Sequence, residues 1–521
     1  MLRNLFTLSG LTLVSRILGL VRDMMVSHFL GAGAAADAWV VAFRFPNLFR
    51  RVFGEGAFNA AFVPMYSRRI EENGEEAADD FGSRTISLMF VILAVLFAVS
   101  FVFMEPITRL FVLGWEAERF DLAVELSRIT VVYLVFVCLM AAFSGILNSH
   151  RSFAPPAIAY VMLNVVFITG LALVATRTGD AAHVLAWGLP VAGVIQLGIV
   201  VVAARRNGAR IRLVKPRIDA DMKGLALLMI PGLVSAGAQQ INLLVGQTVA
   251  SFQEGAQVYI YNSDRINQLP LGIIGMAFGV ILVPEITRHL RGGREDQARR
   301  SLAQGIEFSL LISLPAMVAL IAIPEPIVYG LFKSGKFTAE HAHQTALALA
   351  AFAIGAPAWI LVRVLQPGYF AREDTRTPMK FTITTAAVNA ILCVPLFLLL
   401  KHVGCALATS VAGFVNMALL LVGLRKMGFL KMANGFTSRM LRVLLSSVLM
   451  GAAVWGIAKF AEPWTYADGR VIRLVAVVSV VAIGGVIYLA LILLTRVTSV
   501  SELKARFRRA PKPQKSEPEN L

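Results

Sequence analysis

The chain has 521 residues, 57% of them hydrophobic, with a mean hydropathy of +0.71 and a formal net charge of +17. Hydrophobicity on that scale excludes a soluble globular domain and points to a polytopic membrane protein. The positive balance would suggest nucleic acid in a soluble chain. Here the basic residues gather in loops between apolar runs, where membrane orientation accounts for them and no nucleic-acid partner is implied.

At about 20 apolar residues per crossing, the pattern predicts an all-α protein of about fourteen transmembrane helices. They fall near 5–30, 34–56, 85–104, 124–147, 155–176, 183–204, 225–250, 257–284, 303–324, 343–371, 378–400, 403–424, 440–461 and 471–495. The first run is interrupted by Arg16 and Arg22 and lacks a clear cleavage site, so it reads as a retained helix rather than a signal peptide.

The first two helices carry Arg16, Arg22, Asp23, Asp37, Arg44, Arg50 and Arg51. Each charge at bilayer depth costs about 2.5–3.5 kcal/mol on insertion scales, so a sequence that keeps several is expected to use them. Arg16 and Asp23 are seven residues apart, as are Asp37, Arg44 and Arg51. Seven residues are nearly two turns, so each series forms one stripe. Asn47 shares the face of Arg44 and Arg51, and Pro46 should kink the second helix. Two readings follow: a cationic stripe lining a common interior, or an internal salt-bridge lattice that pins two helices together. Glu55, in the GEG that follows, is either a gate latch paired with an arginine or an interfacial residue.

The loops set direction. Loops 205–223, 285–302 and 425–442 are rich in Lys and Arg, whereas alternate loops are poor in them and 251–256 has none. The positive-inside rule places both termini in the cytoplasm. The chain also repeats itself. FVPMYSRRI at 62–70 resembles LVPEITRHL at 282–290, 220 residues later, each after an Ala-Phe pair. The turn 148–155 with the Asn164 helix matches 371–378 with the Asn389 helix at a similar offset. Repeats spanning six helices keep their orientation and are related by an axis along the membrane normal. The expected organisation is two six-helix lobes, 1–222 and 223–428, then two further helices in 429–502 and a disordered cytoplasmic tail at 503–521.

In the second lobe, the eighth helix carries Asp264, Arg265 and Gln268 ahead of Pro270. Arg265 either points at the same cavity as Arg16, Arg22, Arg44 and Arg51, or pairs with Asp264 at the outer interface; Asp264 is a second gate candidate. Arg363 is another intramembrane charge. The acidic run from Glu71 to Asp80 reads as a solvated loop face. Cys138, Cys393 and Cys405 sit in apolar runs without CxxC spacing and give no sign of a disulfide framework or metal site. HExxH, GxSxG and Walker A signatures are missing, so no enzyme chemistry and no cofactor is implied.

SRILGLVRD, DAWVVAFRFPNLFRRVFGEGAFNAAFVP, YNSDRINQLPLGIIGMAFGVILVP and QPGYFAREDTRTP together resemble the MurJ/MviN family of bacterial lipid II flippases, within the multidrug/oligosaccharidyl-lipid/polysaccharide exporter superfamily. The resemblance covers nearly the whole chain. It implies a transporter for peptidoglycan biosynthesis, and hence cell-wall biogenesis and cell shape, in the bacterial inner membrane. The implied substrate is undecaprenyl-pyrophosphate bearing a disaccharide-pentapeptide, with membrane lipids and cell-wall synthesis proteins as candidate partners. Helices thirteen and fourteen would form a lipid-tail groove. Carried over by motif, the substrate-binding residues are Ser15, Arg16, Arg22, Asp23, Asp37, Asn47, Arg50, Arg51 and Arg265, with Arg44 where relatives often have Lys. A drug or cation antiporter would favour an acidic cavity, and a lipid-linked glycosyltransferase would need a catalytic carboxylate near a large outer loop. The expected mechanism is alternating access driven by membrane potential, with the pyrophosphate held by arginines.

Overall fold

The computed structural model describes residues 2–50, 57–430, 432 and 435–497. Arg51, Glu55 and the tail 503–521, all singled out above, lie outside the described residues. The described secondary structure is helical apart from one isolated bridge between Ser334 and Phe337. In chain order the helices are α1 (Leu2–Leu30), α2 (Ala34–Phe49), α3 (Ala57–Val102), α4 (Met104–Phe111), α5 (Ala117–Thr130), α6 (Tyr133–Ser149), α7 (Ala154–Gly170), α8 (Thr176–Thr178), α9 (Ala181–Arg206), α10 (Ala220–Ala250), α11 (Ala256–Arg291), α12 (Glu295–Ala322), α13 (Pro324–Phe332), α14 (Ala339–Phe370), α15 (Arg376–Leu400), α16 (His402–Lys426), α17 (Phe436–Phe460), α18 (Glu462–Thr465) and α19 (Arg470–Leu494).

Among the described residues, ten helical segments are long and apolar enough to cross a membrane. This is an all-helical, multi-pass membrane protein. Those ten coincide with ten of the expected crossings. The other four expected segments are also helical, as α1, α2, α10 and α11. Several boundaries differ from expectation. The third crossing begins far earlier, because α3 extends back to Ala57 through a polar half, interrupted only at Gly74 (φ 81°). The fourth crossing is two helices, α5 and α6, within one span, Ala117–Ser149.

The chain divides into two compact units. The first comprises Met1–Ile266, Leu331–Gly355 and Thr375–Asn416; the second comprises Asn267–Gly330, Ala356–Asp374 and Met417–Leu521. In the first unit a buried polar knot ties three helices. Tyr133 Oη donates to Gln196 Oε1 (2.9 Å), and Gln196 Nε2 donates to the Ala159 carbonyl (2.9 Å). Such groups have no water to turn to at this depth, so each bond fixes a helix–helix register.

A non-helical strap leads from α9 to α10 along α3. The backbone N–H groups of Arg210, Arg212 and Val214 donate to Asp79 Oδ2, Ser83 Oγ and Ser87 Oγ (2.7, 3.0 and 2.8 Å). Four residues of helix rise about 6 Å and two residues of extended chain about 6.6 Å, so the two periods run in step. Asp79 is therefore buried and bonded, unlike the solvated residues from Glu71 to Glu76. The strap ends at Asp219, the N-cap of α10: its Oδ1 accepts from Met222 N (2.9 Å), and its other oxygen pairs with Arg84. The Met222 N–H and the Arg84 guanidinium hold the Asp219 carboxyl below the ordinary carboxylate value. A depressed folded pKa stabilises above the unfolded value, near 3.9, and the contribution is lost as pH falls through the folded value. Asp219→Ala is expected to lower stability by about 0.5–2 kcal/mol at pH 7 and by less near pH 3. Thermal melts of both proteins at the two pH values check this.

In the second unit α12 anchors its neighbours. Tyr488 Oη of α19 donates to the Leu311 carbonyl (2.6 Å), and Arg439 of α17 pairs with Glu307 (2.9 Å). Arg363 Nη1 reaches the Leu271 carbonyl (3.4 Å), so this intramembrane charge contributes to packing.

Candidate functional site

The charges of α1 are the centre of the first unit. Arg22 and Asp23 are each only 4% exposed. Arg22 Nε and Nη2 both donate to Asp23 Oδ1 (3.0 and 2.7 Å), while Nη1 donates to Asn164 Oδ1 of α7 (3.0 Å). The guanidinium also lies over the rings of Phe43 and Phe167, at 5.8 and 5.9 Å. The second oxygen of Asp23 accepts from Arg265 Nε (2.9 Å), and Tyr261 Oη sits 3.4 Å from both Arg22 Nη2 and Asp23 Oδ1. Asn164 Nδ2 donates to the Ser15 carbonyl (3.2 Å), locking α7 to α1.

Burying an ion without a partner costs several kcal/mol, roughly, even after relaxation, which is why these groups are found together. One carboxylate, Asp23, bridges two guanidiniums. Arg265 is the open side of the group, its side chain 39% exposed against 4% for Asp23, with Asp264 adding a negative charge beside it. A narrow cleft opens beside this group, lined by Arg22, Asp23, Trp39, Phe43, Phe167 and Tyr261 among others.

A second cluster closes one end of the same unit. Asp37, with no exposed area, accepts from the Gly255 and Val258 N–H groups (2.8 and 3.2 Å) and from Arg119 Nη2. The first N–H groups of a helix lack intrahelical partners, so a carboxylate projecting from α2 caps the start of α11. Arg44 donates to Gln257 Oε1 in the same turn. Nearby, Asn262 Nδ2 donates to Ser27 Oγ (3.1 Å), the His28 ring meets Ser334 Oγ (2.7 Å), and Lys336 N donates to the His28 carbonyl (2.9 Å). Three glycines with positive φ let backbone touch backbone along this seam: Gly31 (69°), Gly255 (76°) and Gly335 (55°). A Cβ at these positions would lie 2.6 Å from the Lys336 carbonyl oxygen, 2.7 Å from that of Ala32 and 2.4 Å from that of His28.

Of the residues expected from sequence, Ser15, Arg22, Asp23 and Arg265 thus come together, and Asp37 and Arg44 meet at the seam. Asn47 Oδ1 accepts from Arg50 Nε (2.7 Å), and Arg50 stacks over Tyr160 (5.9 Å). Arg16 is partly exposed, and no hydrogen bond or ion pair joins it to another described residue. Asp264 is half-buried and adds a negative charge beside Arg265. Sequence reasoning did not assign Asn164, Tyr261 or Arg119 to the site. Asn164 and Tyr261 are polar groups within apolar helices, a usable signal; Arg119, in an outer loop by sequence, offered none.

The architecture is a multi-span helical bundle that holds paired charges in its interior. Residues 26–494 match the family profile described as lipid II flippase MurJ. A probable lipid II flippase MurJ of Rhizobium tropici is 39% identical over 469 residues, covering 89% of this chain and 88% of that one. A solved structure of a lipid II flippase MurJ in an inward closed conformation superposes with a TM-score of 0.78 at 27% identity, over 94% of this chain and 98% of the other. An inward-facing multidrug resistance MATE family transporter of the MOP superfamily shares the fold, with a TM-score of 0.66 at 14% identity over 79% and 94% of the two chains. The chain belongs to the MurJ family of lipid II flippases.

Proposed function

We propose that this protein flips undecaprenyl-pyrophosphate bearing the disaccharide-pentapeptide from the cytoplasmic to the periplasmic leaflet of the inner membrane. The observation that carries the reading is that the buried Arg22 and the partly exposed Arg265 share one carboxylate, Asp23. Two guanidiniums share the one Asp23 carboxylate, so an anion approaching from the Arg265 side meets donors it can pair with. Guanidinium forks match phosphate oxygens bidentately, where an ammonium offers only a point charge. The aromatic and aliphatic walls of the cleft lower the local dielectric and strengthen that attraction.

In this reading Arg16, Asn47, Arg50, Arg51 and Ser15 extend the polar path toward the cytoplasm, with Glu55 and Asp264 as gate residues. Lobes 1–222 and 223–428 rock about the site, while 429–502 guides the prenyl tail. The basic loops support cytoplasmic termini, which makes the seam of Asp37, Gly31, Gly255 and Gly335 the outer gate, closed in this conformation. Alternating access then requires Asp37 to release the start of α11.

A membrane potential negative inside expels an anion at about 2.3 kcal/mol per charge per 100 mV, and draws the emptied, net-positive site back inward. In cells depleted of their own flippase, the protein should restore lipid II accessibility on the outer face, and Arg22→Ala should lose it at unchanged protein level. In liposomes, equal flipping at zero and inside-negative potential would rule out voltage as the driving force.

A further inference from the structure

The transport reading leaves one piece of chemistry unused. α15 ends at Leu400 and α16 starts at His402, so the turn between them is Lys401 alone, at φ 54°. Gly404 then presses directly on the α15 backbone: a Cβ there would fall 2.0 Å from the Leu396 carbonyl oxygen. With no side chain holding the helices apart at that point, the next residue, Cys405, reaches Cys393 across the hairpin. The two sulfurs are 3.2 Å apart, with the Cys393 thiol donating to Cys405 Sγ. Both are buried, at 0% and 4% exposure, among Ala250, Ala256, Phe397 and Ala408. Spacing alone concealed this pair, because the two cysteines are twelve positions apart.

We propose that Cys393 and Cys405 form a reversible disulfide. The sulfurs must close from 3.2 Å to about 2.05 Å, a movement that side-chain rotation supplies once the backbones are fixed this close. The thiolate of one cysteine attacks a disulfide oxidant RSSR and releases one RSH. The other cysteine then attacks the mixed disulfide and releases the second. One S–S bond forms and one breaks; the cysteines lose two electrons, and their two protons leave on the two RSH molecules.

The hairpin lies beneath the turn that seats Asp37. Ala250 and Ala256 flank that turn and pack on the cysteines, and His402 N donates to Gln253 Oε1 (3.0 Å) within it. Oxidation staples the support of the α11 N-terminus. Placing the pair toward the oxidising periplasm rests on the orientation proposed above; the bond itself rests only on the local geometry.

The test uses the full-length protein in liposomes and dipyridyl disulfide, a membrane-permeant oxidant of the RSSR type. The expected product is a protein lighter by two hydrogens, with peptides containing Cys393 and Cys405 joined and Cys138 still alkylatable after denaturation. The rate should be independent of protein concentration, and dithiothreitol should reverse it. Cys393→Ser should instead retain one pyridyl adduct on Cys405. Free alkylation of both cysteines after prolonged oxidation, or a stable adduct on each, overturns the proposal. Amide exchange over 251–256 should slow several-fold on oxidation; unchanged exchange removes the stapling role. A Cys393→Ser, Cys405→Ser double variant should still flip lipid II, which keeps this question separate from the transport reading.

Discussion

A variant carrying Arg22→Met and Asp23→Leu together should reach the membrane at near wild-type level and flip no lipid II. Replacing both members of a buried ion pair with apolar residues of similar volume removes two desolvation penalties along with one attraction, and is often neutral or stabilising. The losses are local. Asn164 Oδ1 forfeits its bond from Arg22, worth about 1–3 kcal/mol for a buried acceptor left bare. Arg265 forfeits its carboxylate, but at 39% exposure it keeps access to water. The single change Asp23→Leu behaves differently. It strands Arg22, 4% exposed, without a counter-charge, at about 3–5 kcal/mol, and should lower the amount of protein recovered. Membrane-fraction blots and outer-face lipid II accessibility separate the two effects. A double variant that still flips would mean that the pair only pins α1 to α7 and that the anion binds elsewhere.

That contrast bears on what the sequence made legible. Arg22, Asp23 and Arg265 stood out because each is expensive in a membrane, and the cost of a charge can be read from a single position. Their pairing could not be, since it depends on where α7 and α11 fall relative to α1. Asn164 lies 142 residues from Arg22, and Arg265 lies 242 from Asp23. The heptad spacing of Asp37 and Arg44 was informative in a limited way: both do face one neighbour, the first turns of α11. Helical periodicity identifies a shared face but not what meets it, and here the partners of Asp37 are backbone N–H groups and Arg119. The polar first half of α3 was missed for a related reason. Hydropathy registers the lipid-facing part of a helix, and the rest of α3 is held by bonds to the strap at Asp79, Ser83 and Ser87.

Gly255→Ala should shift the protein away from the closed-seam conformation, and the reason lies in which part of the penalty differs between states. The residue sits at φ 76°, where alanine is strained by about 1–3 kcal/mol. If the turn keeps its shape, that strain is present whether the seam is open or closed and biases neither. The contact with the Ala32 carbonyl oxygen, 2.7 Å from the added methyl, exists only while the seam is shut. Overpacking of this kind costs about 1–3 kcal/mol, which moves a two-state equilibrium by about 5- to 150-fold. A reporter cysteine at Ala36, 2% exposed beside the seam, placed in a background with Cys138, Cys393 and Cys405 changed to serine, should react correspondingly faster with a maleimide that cannot cross the membrane. Gly293→Ala is the matched control: φ is 67° and the new methyl meets nothing within 4 Å, so it carries the strain without the contact and should leave labelling unchanged. Equal labelling of Gly255→Ala and wild type would mean that the seam does not open on the outer side. Faster labelling with slower lipid II flipping would locate the defect in the return step, because a gate that cannot shut leaves the Arg22 and Arg265 site facing away from its substrate.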